Sequence, residues 1–345
     1  MDMIKLLIID DSALIRQMLT QMFSQVEDIE VVGTASDPLI ARDKIKILNP
    51  DVLTLDVEMP RMDGVTFLRN LMRLRPMPVV MVSSLTHQGV EVTLQALALG
   101  AVDFVGKPKA DEPCVLSDYA DEIINKVRMA AKVKVQALEV SKPTQTPVMT
   151  GTQTNFKATH KIVALGSSTG GTEALKQLVK HLPANAPAIL VAQHLPVAFS
   201  ASFAKHVDEA GKMRACVAID GQLILPGHIY IAPGDKHMRV VRDGFAYVCG
   251  LDNGPLVNRH KPSVEVLFQS VAENVGKNAI GVMLTGMGVD GAQAMLKMRD
   301  AGAVNIVQDE DSSIVWGMPG EAYKLGAAQY VLPLQKIAAQ IMALA

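Results

Sequence analysis

Two blocks of alternating hydrophobic pattern divide the chain. In the first, short runs rich in Val, Ile and Leu at residues 5–10, Ile29–Ala35, Val52–Asp56, Val79–Ser83 and 103–107 predict β-strands. Between them, segments such as Ala13–Phe23 and Gly64–Leu74 carry apolar residues at three- and four-residue spacing, which predicts amphipathic helices. A last helix is expected from about residue 117 to 138. Alternation of strand and helix implies a parallel sheet with helices on both faces. The second block starts at KIVALG (161–166), with strands expected at Ala188–Gln193, 279–285, Val304–Gln308 and Tyr330–Leu332. It predicts a doubly wound, mostly parallel α/β domain. Two apolar runs, 238–241 and 245–248, flank Arg242, Asp243 and Gly244 and predict a β-hairpin.

Between the blocks the pattern stops. SKPTQTPVMTGTQTNFKATH (141–160) is rich in Thr, Gln, Pro and Lys and has no apolar period, so residues 139–160 read as a linker between domains 1–138 and 161–345. The length of 345 residues agrees, because single hydrophobic cores usually stop growing before that size. A formal net charge of −2 gives no electrostatic reason to expect nucleic acid as a partner. Three scattered cysteines, Cys114, Cys216 and Cys249, fit a reducing cytoplasm better than a disulfide framework or a zinc site. Asp10 and Asp11 come too early for a signal peptide, and no uncharged apolar run reaches membrane-spanning length, so a cytoplasmic protein without membrane insertion is expected.

Four features converge on one edge of the first sheet. Asp10 and Asp11 end the first strand, Asp56 ends the third, Ser83 ends the fourth, and Lys107 follows the fifth. In an open parallel sheet, ligands bind outside the carboxyl ends of the strands. Three carboxylates gathered there repel one another unless a hard divalent cation such as Mg²⁺ neutralises them. An aspartate beside that ion can attack a phosphoryl group, with a lysine and a hydroxyl receiving its oxygens. Taken singly, an aspartate at a strand end is more often a helix cap or a turn residue, and Lys-Pro is a common dipeptide; the ordered set is what points to chemistry. IIDDSALIRQML, TLDVEMPRMDG, VVMVSS and DFVGKP, in this order, resemble the two-component receiver domain. The resemblance implies a flavodoxin-like five-stranded parallel sheet with Asp56 phosphorylated. It further implies Asp10, Asp11 and Asp56 as Mg²⁺ ligands, Lys107 and Ser83 on the phosphoryl group, and Phe104 as the switch aromatic.

In the second block, Gly166–Ser167–Ser168–Thr169–Gly170 satisfies G-x-S-x-G between a strand and a helix, which is the pattern of a nucleophile elbow with Ser168 at its apex. A phosphate-cradling loop is the competing reading, but Walker A ends in Gly-Lys-Ser/Thr, and here Glu173 follows Thr172. The dinucleotide fingerprint is absent from this turn. His194 ends the next strand, where a general base is well placed. Asp290 lies in a glycine-rich turn before a helix and either caps that helix or orients a histidine. The chain order Ser, His, Asp matches none of the three familiar triad orders, so the α/β-hydrolase fold is not implied. GSSTGGTEAL, AQHLP, YIAPGDKHM, RHKPSVEVLF and LTGMGVDGA resemble the catalytic domain of the chemotaxis protein-glutamate methylesterases. This resemblance implies Ser168 as nucleophile, His194 as base and Asp290 as its orienter, with Thr169 and the Met287 N–H supporting the oxyanion. The chain departs at Ser167, where that family usually carries alanine. No cofactor serves such a hydrolase. Its implied partners are methylated chemoreceptors, through their cytoplasmic domains, and a chemotaxis histidine kinase as phosphodonor; deamidation of selected receptor glutamines is implied as a second activity.

Overall fold

The computed structural model describes residues 3–59, 62–84, 86–107, 113–135 and 161–345. The chain forms two compact units, Met1–Thr146 and Pro147–Ala345. In the first, strands β1 (Ile4–Ile9), β2 (Ile29–Ala35), β3 (Val52–Asp56), β4 (Val79–Ser83) and β5 (Asp103–Gly106) alternate with five helices. These are α1 (Ala13–Phe23), α2 (Pro38–Leu48), α3 (Gly64–Leu74), α4 (His87–Ala98) and α5 (Pro113–Ala130). The five strands run parallel in the order β2-β1-β3-β4-β5. Helices on both faces bury β3 and β4 at every position, which is why both are dominated by apolar residues rather than alternating. Each helix start has a chemical cause where its cap is described: Ser12, Asp37, Asp63 and Thr86 each accept a first-turn N–H.

The second unit is built on a seven-stranded parallel sheet. Its strands are β6 (Ile162–Ser167), β7 (Ala188–Gln193), β8 (Arg214–Val217), β10 (His228–Ile231), β13 (Ala279–Met283), β14 (Val304–Gln308) and β15 (Tyr330–Leu332). They lie in the order β15-β14-β13-β6-β7-β10-β8. Around it run α6 (Gly171–Val179), α7 (Val197–Ala210), α8 (Val264–Asn274), α9 (Ala292–Asp300), α10 (Met318–Lys324) and α11 (Leu334–Leu344). A small antiparallel sheet of β11 (His237–Asp243), β12 (Ala246–Asp252) and β9 (Gln222–Leu223) packs against α8 through Met238, Val240 and Cys249. Order reversal beside β6, with β13 on one side and β7 on the other, opens a crevice at the carboxyl ends of these three central strands.

The structure corrects three expectations. Helix α5 runs Pro113–Ala130 rather than from about 117 to 138, with proline in the first turn where its missing N–H costs nothing. The hairpin turn is Gly244–Phe245 rather than 242–244, because Asp243 pairs directly with Ala246. β13 stops at Met283, two residues short of 285. The proposed linker, 139–160, lies outside the described residues, as do 136–138.

Candidate functional site

In the first unit the strand order brings Asp10, Asp56, Ser83 and Lys107 together at one edge. Asp10, Asp56 and Ser83 are almost completely buried. Lys107 Nζ lies 2.9 Å from Asp56 Oδ1 and 3.5 Å from Asp10 Oδ2. Burial raises the Asp56 carboxyl to about 6, with help from the Asp10 charge and against the pull of Lys107. Asp10 is raised for the same first reason. Burial alone would lower Lys107, but its pairing with Asp56 and Asp10 more than offsets this and holds it as an ammonium. Three facts fit a divalent cation here. Asp10, Asp11 and Asp56 each offer an oxygen within 4.8 Å of the others, Asp11 from an exposed position. Asp56 Oδ2 is buried without a hydrogen-bond partner among the described residues, and Asp10 Oδ2 is buried with only the 3.5 Å approach of Lys107 Nζ. The lysine supplies one positive charge against three negative ones.

Ser83 is held away from idle rotation. Its Oγ lies 2.7 Å from Thr93 Oγ1, and Gly89 O is within hydrogen-bond reach of both hydroxyls, at 3.3 and 2.7 Å. Phe104 is buried, with Lys126 Nζ 5.2 Å from its ring centre and donating to its carbonyl at 2.6 Å. Sequence reasoning passed over Arg16, whose guanidinium donates to the carbonyls of Asp10 and Asp11 and so fixes the loop that presents them.

In the second unit, β6 and β7 pair so that Ser167 faces Gln193, which places Ser168 and His194 side by side just past the sheet. The His194 N–H donates to Ser167 O at 3.2 Å, and the Ser168 N–H donates to Thr285 O at 3.1 Å. Ser168 is partly exposed at the strand end; Ser167 is fully buried. Ser167 Oγ donates to Gln193 Oε1 at 2.6 Å, and Gln193 Nε2 donates to Ser168 O at 2.9 Å. The extra hydroxyl therefore faces inward, into a strand-to-strand brace. Gly170, at φ 77°, turns the chain into α6 with a backbone that side chains resist.

His194 Nε2 lies 2.9 Å from Asp290 Oδ2, and its Nδ1 is buried with no hydrogen-bond partner among the described residues. Asp290 does not cap the helix that follows it; Gly291 occupies that position at α9. The carboxylate instead sits at the start of α8. It accepts from Ser263 Oγ at 2.8 Å, Val264 N at 2.6 Å, Glu265 N at 3.3 Å and Asn258 Nδ2 at 2.8 Å. Burial alone would raise Asp290, but the His194 contact, followed by Asn258 and Ser263, holds it at about 2. Donors from a helix N-terminus fit that outcome. Glycine at 166 and 291 permits the arrangement, since a Cβ at either would lie within 2.4 Å of Val264 Cγ1.

Thr169 is buried, and its carbonyl accepts from Thr285 Oγ1 at 3.0 Å. Met287 is half-buried in the loop after β13, and its N–H makes no intramolecular hydrogen bond among the described residues. Asn258, Ser263 and His260, whose ring stacks on His194, were not singled out in the sequence. The only signal was their place inside RHKPSVEVLF and just before it. Among the described residues no helix is long and apolar enough to cross a membrane.

An acidic pocket with a lysine in one α/β unit, and a Ser, His, Asp cluster at the strand ends of another, define a response regulator with a hydrolytic output domain. The chain matches the CheB methylesterase family over residues 163–341 and the response regulator receiver domain family over 6–115. It belongs to the CheB methylesterase family. It is 57% identical to a protein-glutamate methylesterase/protein-glutamine glutaminase 2 of Xanthomonas oryzae pv. oryzae (strain MAFF 311018), covering 99% of this chain and 97% of that one. It is 53% identical to the protein-glutamate methylesterase/protein-glutamine glutaminase of Hydrogenovibrio crunogenus, covering 100% and 99%. The second unit is similar to the crystal structure of the Thermotoga maritima CheB methylesterase catalytic domain. That match has a TM-score of 0.53 and 36% identity, covering 54% of this chain and 98% of that structure.

Proposed function

We propose that this protein is a phosphorylation-regulated esterase that hydrolyses glutamate methyl esters on the cytoplasmic domains of chemoreceptors, releasing methanol, and deamidates selected receptor glutamines. One observation carries the reading: a buried His194–Asp290 pair stands beside a partly exposed serine at the ends of adjacent parallel strands. Ser168 Oγ attacks the ester carbonyl carbon while His194 Nδ1 takes its proton. The Met287 N–H and Thr169 stabilise the oxyanion that forms. Collapse breaks the bond to the methoxy group, which leaves as methanol with the proton from His194. Water then attacks the acyl-enzyme, His194 again taking the proton, and glutamate and free Ser168 are regenerated. With glutamine the leaving group is ammonia. Asp290 stays anionic throughout and stabilises the imidazolium. No cofactor takes part in this chemistry. The test is release of volatile label from membranes carrying methyl-labelled receptors; label retained with the wild-type chain would contradict the ester reading.

Residues 1–138 serve as the phosphoacceptor domain, 139–160 as the linker and 161–345 as the catalytic domain. Asp56 receives the phosphoryl group from a chemotaxis histidine kinase in the cytoplasm. Asp10, Asp11 and Asp56 would hold Mg²⁺, whose charge would offset that of the phosphoryl group, while Lys107 and Ser83 would receive phosphoryl oxygens. No nucleic acid is involved. Asp56→Asn is expected to abolish acid-labile labelling by a small phosphodonor, since an amide is a poor nucleophile. Full labelling of that variant would remove Asp56 from the role. In differential scanning calorimetry, Mg²⁺ is expected to raise the receiver transition of the wild type and to raise it much less in Asp56→Asn. Equal shifts would place the ion elsewhere.

A further inference from the structure

The His194 ring is held at two points, its own Cβ and the Nε2 contact with Asp290. Two points define an axis, and torsion about it would swing the ring plane and change the direction of Nδ1; the terminal torsion of a histidine is intrinsically broad. A third restraint comes from His260. Its ring lies face to face with that of His194, centroids 3.6 Å apart and planes 13° from parallel.

The chain is shaped to deliver that ring. Val257 and His260 exchange both backbone hydrogen bonds, 3.1 and 2.9 Å, across a two-residue turn. The turn residues Asn258 and Arg259 both have positive φ, 52° and 69°, as a tight hairpin of this hand requires. Asparagine adopts that region readily; arginine does not, so the surrounding contacts must hold the turn in place. The same turn places Asn258 Nδ2 on Asp290 Oδ1. One hairpin thus touches both members of the dyad, the carboxylate through Asn258 and the imidazole through His260.

We propose that His260 is a positioning residue for the general base: its ring face fixes the plane in which His194 presents Nδ1 to Ser168. This rests on the assignment of Ser168 and His194 made above. His260 needs no proton of its own for this task, only a flat face, so the role separates from one in which its nitrogens act.

The experiment compares full-length wild type with His260→Ala, His260→Phe and His260→Leu. Two rates are read: receptor demethylation, as kcat and KM, and covalent labelling of Ser168 by an alkyl fluorophosphonate, which needs nucleophile and base but no receptor. His260→Ala should lower kcat roughly ten-fold, or about 1.4 kcal/mol, with KM within about two-fold. Labelling should slow in proportion. His260→Phe should return both rates to within about three-fold of wild type, while His260→Leu, apolar but without a face, should stay with alanine. If the alanine variant does not fold, phenylalanine against leucine carries the same comparison. The proposal is overturned if phenylalanine is no better than leucine, if all variants match wild type, or if the loss appears only in KM. A wild-type chain labelled at Ser168 but inactive on receptors would contradict the substrate reading and leave the labelling comparison to decide this one. Absence of wild-type labelling at Ser168 would overturn both.

Discussion

Ser168→Ala is expected to lower receptor demethylation by at least about 10³-fold, the scale on which removal of a triad nucleophile acts. Ser167→Ala is expected to keep most of the activity. The two serines are adjacent, yet their surroundings differ. Ser168 is partly exposed past the end of β6, beside His194. Ser167 is buried within β6, its hydroxyl spent on Gln193. A hydroxyl pointing into the sheet cannot meet a receptor side chain. Losing it removes one hydrogen bond from the brace, an effect of about 1 kcal/mol on stability rather than on chemistry. Methanol release measured for both variants decides the matter, and comparable losses in the two would undo the assignment of Ser168.

Asp290→Asn should lower kcat by about 10⁴-fold, as loss of the orienting carboxylate does in other triads. It should also destabilise the catalytic unit, because the carboxylate accepts from His194, Asn258, Ser263 and the first N–H groups of α8. An amide would turn an NH₂ donor toward some of these donors. The wild type carries a matching pH signature. The folded-state value of Asp290 is about 2, below its ordinary 3.8. Its contribution is therefore full above about pH 4 and is lost as pH falls toward 2, a change of about 2 kcal/mol in order of magnitude. Acid unfolding of Asp290→Asn, followed by circular dichroism, should lack that part of the slope. A slope equal to wild type would mean the carboxylate is not held by these contacts.

Strands buried on both faces are the easiest to read, since apart from Thr54 β3 and β4 present only apolar or strand-end functional residues. β8, β9 and β10 escaped notice. β8 is exposed or half-buried throughout, and β9 is only two residues long. β9 exists because Val248 and Cys249 pair with it, which no local period can reveal. The sequence predicts the hairpin but puts its turn at 242–244, because Phe245 has the character of a strand residue, whereas it stands fully exposed at the tip. Among site residues, Ser168, His194 and Asp290 were legible because each follows a recognisable strand. Asn258, His260 and Ser263 lie in an aperiodic loop and reach the dyad only through the tertiary fold, Asn258 and Ser263 at Asp290 and His260 at His194. The ambiguity over Asp290 had the same root: it does serve a helix N-terminus, but that of α8, earlier in the chain.

The most direct test of the whole account is methanol release from methylated receptor membranes by the full-length chain, measured with and without a small phosphodonor in Mg²⁺. Wild type should release methanol and should do so faster with the donor; Asp56→Asn should show only the basal rate, and Ser168→Ala neither. Phosphodonor stimulation that survives Asp56→Asn, or methanol release that survives Ser168→Ala, would contradict it.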